Sequence, residues 1–182
     1  MTDSPRVLML PGYQNSGPGH WQTLWEAQHP EYRRVEQRDW ERPRRADWVA
    51  ALEAAVRAEP APVVFAAHSL GSIAVVHWAA AHRHAVAGAL LVAPPDVEHD
   101  WAPPIVKDFA PIPLGRLPFP SIVVASADDP YAELERARDW ACQWGSRFVS
   151  LGDAGHINTD AGFGPWPEGL RLLGELMERP GA

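Results

Sequence analysis

Apolar and polar positions alternate along this chain with two different periods. Short apolar runs, most of them rich in β-branched residues, read as strands over Arg6 to Leu10, Val63 to Ala67, Val86 to Val92, Ser121 to Ser126 and Arg147 to Leu151. Tyr32 to Gln37 is a weaker strand with simple alternation. Between the strands the apolar positions recur every three or four residues. Trp21, Leu24, Trp25 and Gln28 mark one helix; Trp48, Leu52, Ala55 and Val56 share a face of another, Ala46 to Glu59, which Pro60 ends. Further helices are predicted over Leu70 to His82, Ala132 to Trp144 and Glu168 to Glu178. Between Ala93 and Pro120 neither period holds, and eight prolines fall in that stretch. Strands alternating with helices predict right-handed crossovers. The expected α/β fold is a mainly parallel central sheet of about six strands with helices on both faces.

That architecture gives the loops a meaning. Ligands of an open α/β sheet bind at the carboxyl ends of the strands. The residues just after each strand therefore share one rim: Pro11 to Gly19, His68 to Leu70, Ala93 to Pro95, Ala127 to Pro130 and Gly152 to Asn158.

Composition narrows the picture. The 182 residues are read as one domain, 1–182, with a short proline-rich insertion around 94–120. A net charge of −7 argues against nucleic acid and against an anionic membrane as partners. One cysteine, Cys142, leaves no internal disulfide and fits a reducing cytoplasm; it is expected in a core or on a helix. Val7 to Leu10 is too short for a signal sequence, and no segment is apolar for long enough to span a bilayer, so a cytoplasmic location is expected. The eight histidines show no metal-ligand spacing, and no metal site is expected; His77, His82 and His84 are read as facing solvent.

The chemistry sits on the rim. Ser69 follows an apolar strand and precedes a helix, with small residues two places away on either side, Ala67 and Gly71. This is the steric pattern of the nucleophile elbow, G-x-S-x-G, with alanine in place of the first glycine. Serine needs a general base, and the base needs a carboxylate to orient it. Asp128-Asp129-Pro130 follows the strand at Ser121 to Ser126, and Gly155-His156 follows the strand at Arg147 to Leu151. The order Ser, Asp, His is that of α/β-hydrolases. The N–H of Leu70, after the serine, is the expected first oxyanion donor. The second is expected from the loop after the first strand, at Tyr13, with Gln14 next. His68 adjoins Ser69 and cannot swing round as its base, so it reads as a pocket or packing residue. Trp21 and Trp25 read as core. Trp101 and Phe109, in the insertion over the rim, are candidates for substrate contact, as is Gln14; His20 either lines the site or hydrogen-bonds near a helix start.

The chain resembles the small serine-hydrolase family that includes YdeN and the retinoblastoma-binding serine hydrolase. The matching residues are Leu10 to Ser16 with His20-Trp21, His68 to Gly71, Ser126 to Tyr131 and Gly155 to Asn158. The resemblance implies a compact α/β-hydrolase with esterase-type activity and no cofactor. It favours Asp129 over Asp128 as the acid, because the family's acid immediately precedes the proline; Asp128 would then cap the next helix or face water. Asp153 and Asp160 flank the histidine but do not follow the acid-bearing strand. The expected activity is hydrolysis of small carboxylic esters, with thioesters or amides as related substrates, through an acyl-serine. The alternative is a binding protein on a hydrolase scaffold with weak or vestigial activity, since a fold does not fix a function. No protein partner can be named from the sequence.

Overall fold

The structure, a computed structural model, describes residues 5–178. Six strands form one parallel sheet in the order β2-β1-β3-β4-β5-β6. They are β1 (Arg6–Leu10), β2 (Arg33–Arg34), β3 (Val63–His68), β4 (Val86–Val92), β5 (Ser121–Ala125) and β6 (Arg147–Ser150). The helices are α1 (Trp21–Gln28), α2 (Arg45–Ala58), α3 (Leu70–Ala81), α4 (Leu134–Trp144) and α5 (Pro167–Met177).

Side-chain alternation divides the sheet into two cores. Val7, Met9, Val64, Ala66, Leu90 and Val92 point to the face covered by α1 and α5. Leu8, Leu10, Phe65, Ala67, Ala89 and Leu91 point to the face covered by α2, α3 and α4. Both faces of every central strand are thus dry, which is why these strands are continuously apolar. Each buried Val, Leu or Ile contributes about 1.5–3 kcal/mol. Tryptophans fill the spaces between layers: Trp21 and Trp25 on one face, Trp48, Trp78, Trp140 and Trp144 on the other. All six are almost wholly buried.

Two segments differ from the sequence expectation, and a third takes a form that periodicity left open. The strand at Tyr32 to Gln37 shrinks to Arg33–Arg34, followed by one further bond from Val35 N–H to the Met9 carbonyl (2.9 Å). It is the sheet edge, and short charged edges resist pairing with other chains. Helix α4 starts at Leu134 rather than Ala132, because the Asp129 carboxylate accepts from Tyr131 N–H (2.9 Å) and holds a turn there. The proline-rich stretch, which shows neither period, is packed. Its 3-10 helix, Pro104–Phe109, sends Val106 and Phe109 inward, and Ile112, Leu117 and Phe119 follow into the same core.

The strand order reverses between β1 and β3, since the chain leaves β1 for α1 on one face and β3 for α3 on the other. The crevice at that reversal is where an open α/β sheet takes its ligand. Among the described residues, no helix is long and apolar enough to cross a membrane.

Candidate active site

Ser69 sits in that crevice, on the residue that joins β3 to α3, with φ 53° and ψ −128°. A non-glycine residue there stores about 1–3 kcal/mol of backbone strain. The neighbours leave no alternative. A Cβ on Gly71 would lie 2.2 Å from the Leu10 carbonyl oxygen, and a Cβ on Gly12 would lie 2.8 Å from that of Ser69. The tight approach is thus between the β1 loop and the start of α3. Ala67 is outside it, buried in the sheet, which explains why alanine replaces the first glycine of the motif.

Ser69 Oγ donates to His156 Nε2 at 2.8 Å. On the other side of the ring, Nδ1–H lies 3.0 Å from each carboxylate oxygen of Asp129. A carboxylate only accepts, so the hydrogen belongs on Nδ1 and the Nε2 lone pair faces the serine. The side chains of His156 and Asp129 are 10% and 3% exposed, which shields the pair from water. This geometry can move a proton from a serine hydroxyl to imidazole and stabilise the imidazolium that results.

The loop carrying His156 is tied down from several directions. Of the two roles the sequence left Asp128, capping α4 or facing water, it does not take the first; it is exposed. Its Oδ1 accepts from Ser126 Oγ (2.6 Å) and from Gly155 N–H (2.7 Å). Those donors hold its carboxyl below the usual carboxylate range. The wholly buried Trp21 donates from Nε1 to the Ile157 carbonyl (3.0 Å). His68 donates from Nε2 to the carbonyl of His156 itself (2.9 Å). Burial, with His156 and His20 beside it, keeps His68 well below its ordinary pKa, so it remains a neutral donor.

The β1 loop is fixed too. Gln14 and Asn15 both take left-handed conformations, φ 64° and 65°. Arg34 donates to Asn15 Oδ1 (2.9 Å) and the Ser16 carbonyl (3.2 Å) while its other nitrogens grip Glu26. Gln14 N–H is already spent on the Trp40 carbonyl (3.1 Å), whereas Tyr13 N–H has no acceptor among the described residues. Leu70 is the first residue of α3, so its N–H has no acceptor within the helix.

A cavity of about 350 Å³ opens over Ser69. Its apolar lining includes Val97, Trp101, Ala102 and Val106; its polar lining includes Gln14, Asn15, His20, Asp96, Asn158 and Asp160. Trp101 lines it and is 45% exposed. Phe109, expected at the same place, is not there. The 3-10 helix turns it inward against Trp48 (5.6 Å between ring centres), where it is fully buried. Gln14 lines the cavity, but its side chain also donates to Glu41 (3.1 Å). His20 caps α1: its Nδ1 accepts from Gln22 N–H (3.2 Å), so Nε2 carries the hydrogen. That N–H is buried and has no partner. Burial, with Arg34 and His156 nearby, lowers the His20 pKa to about 4. Among the described residues no Lys or Arg lines the cavity. His77, expected to face solvent, instead meets the Phe109 carbonyl (2.7 Å). Cys142 is exposed on α4.

Residues 7–175 match the family described as Serine hydrolase. The chain belongs to that family. Among solved structures it is similar to a YdeN-like hydrolase from Pectobacterium atrosepticum, with 34% identity, a TM-score of 0.87, and coverage of 96% of this chain and 91% of that one. The ydeN gene product of Bacillus subtilis is 21% identical, with a TM-score of 0.80 and coverage of 97% and 100%. A Bacillus cereus carboxylesterase shares the fold at 14% identity, with a TM-score of 0.62 and coverage of 97% and 89%. No curated protein matches the chain. The family and its α/β-hydrolase fold make this serine hydrolase a hydrolytic enzyme.

Proposed function

We propose that this serine hydrolase is an esterase that cleaves small carboxylic esters through an acyl-serine. Ser69 Oγ attacks the carbonyl carbon while His156 Nε2 takes its proton. Asp129 steadies the imidazolium. The N–H groups of Leu70 and Tyr13 receive the charge on the carbonyl oxygen. His156 then protonates the departing alkoxide, which leaves as an alcohol. A water, deprotonated by the same imidazole, attacks the acyl-serine, and the acid leaves as Ser69 regains its proton. The observation that carries this reading is the relay from Ser69 Oγ to His156 Nε2 at 2.8 Å with Asp129 at 3.0 Å behind it.

The cavity supports small substrates without negative charge, since two carboxylates, Asp96 and Asp160, are among its lining residues. Its volume of about 350 Å³ lies at the lower end of the range for small-molecule sites. Without a cation in the wall it offers an anionic substrate no counter-charge. Trp101 offers an apolar face to the acyl or alcohol group.

The test is a fluorophosphonate probe, followed by mass spectrometry of the labelled peptide. One adduct on Ser69 is expected, together with turnover of a p-nitrophenyl ester. Folded protein that takes no label and turns over no ester would contradict the proposal and favour a binding role.

A further inference from the structure

At the far end of α3 from Ser69, three side chains converge that the sequence gives no reason to connect. Helix α3 runs from Leu70 to Ala81, so this end lies roughly 18 Å from the serine. His82 follows its last residue, His84 lies two residues on, and Glu53 faces them from α2. Glu53 Oε1 is 2.9 Å from His84 Nε2, and Oε2 is 3.3 Å from His82 Nδ1. The three ligand atoms all lie within 4.8 Å of one another.

Trp78 makes this a built arrangement. Its indole is anchored in the core, edge-on to Phe65 at 5.3 Å, and donates from Nε1 to Glu53 Oε2 (2.9 Å). The same ring lies nearly parallel to both imidazoles, at 20° to His82 and 19° to His84, each 5.9 Å away. One buried tryptophan therefore orients the carboxylate and both histidines, as outer-shell groups do around metal ligands.

We propose that Glu53, His82 and His84 form a site for a divalent transition-metal ion of the zinc class. Two imidazole nitrogens and one carboxylate oxygen, with water in the fourth position, are a familiar zinc set. Bonds of about 2.0–2.2 Å put tetrahedral ligand atoms roughly 3.3–3.5 Å apart. The separations of 2.9 and 3.3 Å run to different oxygens of Glu53, so the carboxylate and both imidazoles must rotate for one oxygen and two nitrogens to share an ion. In the metal-free chain His84 Nε2–H donates to Glu53 Oε1 (2.9 Å), and His82 Nδ1 lies 3.3 Å from Oε2 without a hydrogen bond. On binding, each neutral imidazole carries its hydrogen on its other nitrogen, and the freed lone pair goes to the ion. Imidazole donors select zinc, nickel or copper over calcium and magnesium. Arg57, one turn further along α2, lines the hollows beside the site. Its charge opposes a cation, so micromolar binding is expected rather than the affinity of a closed four-ligand site. A bound ion would link α2 to the end of α3 and stabilise the fold, with no part in the chemistry at Ser69.

The experiment is calorimetric titration of the chelator-treated full-length protein with zinc chloride, alongside melting curves. One ion per chain is expected, with a rise in Tm that magnesium does not give. His82→Ala/His84→Ala should weaken binding at least tenfold and abolish the rise. Glu53→Gln preserves the site's shape and can still accept from Trp78, and it should weaken binding too. Ester turnover of the metal-free variants should equal that of the wild type, so this test does not depend on the esterase proposal. Wild-type protein that takes up no zinc, or binding unchanged in all the variants, would overturn the site.

Discussion

Of the two carboxylates that follow β5, Asp129 turns inward to His156 Nδ1, and Asp128 turns along the loop to Ser126 and Gly155. Their substitution should therefore have unequal effects. Asp129→Asn offers an amide donor where the ring needs an acceptor and stabilises the wrong tautomer. The equivalent change in a serine protease costs about ten-thousand-fold in kcat, and a comparable loss is expected here. In Asp128→Asn the remaining oxygen can still accept from Gly155, so a loss of roughly tenfold or less is expected. Comparing kcat/KM of the two folded variants on one activated ester checks this. A crippled Asp128→Asn beside a near-normal Asp129→Asn would reverse the assignment. At this scale the convergence of Ser69, Asp129 and His156 was legible because each follows a strand and the Ser-Asp-His order is characteristic. The part played by Asp128 was not, because Gly155 lies 27 residues away and only the fold brings them together.

The elements, in turn, hold those residues still. His68 links the end of β3 to the loop of His156, and its Nε2–H ties the serine segment to the backbone of the histidine segment. His68→Phe keeps a ring in place but leaves the His156 carbonyl unpaired. It should lower stability by about 1–3 kcal/mol and reduce kcat by roughly 10–100-fold. Urea melts and steady-state kinetics on the same preparation read both effects, and a fully active variant would show that the other ties suffice. His20 gives α1 its cap and makes stability depend on pH. Its pKa is lowered from 6.5 to about 4 in the fold. Above the higher value both folded and unfolded chains are neutral there. As pH falls between the two values, the unfolded chain binds a proton that the folded one refuses. Stability is lost across that window by roughly 3 kcal/mol and changes no further below it. His20→Asn retains a capping oxygen and should lose less stability between about pH 7 and about pH 4.5, as read by urea midpoints. Equal losses in the two proteins would discount His20. Helix and strand identities were legible from periodicity. The weak points were β2, whose alternation runs past its short pairing, and α4, whose start is delayed by an Asp129 side chain that periodicity does not register.

On the scale of the whole molecule, the reversal of strand order between β1 and β3 brings residues from opposite ends of the chain to one crevice. The insertion closes one side of that crevice with Trp101 and Val106 and buries Phe109 beneath it. The alternating pattern foretold the rim. It did not foretell which insertion residues face the cavity, because a 3-10 helix between prolines has neither period. The cavity of about 350 Å³ predicts a preference for short acyl chains. kcat/KM should fall along a p-nitrophenyl series from acetate or butyrate to palmitate, and a rise toward palmitate would mean that the insertion opens. The expectations about turnover rest on Ser69 as the nucleophile. The most direct test is p-nitrophenyl ester turnover by Ser69→Ala, with folding confirmed by circular dichroism. A fall of about a million-fold in kcat is predicted, leaving only what binding and the oxyanion donors supply; turnover close to that of the wild type would contradict the account.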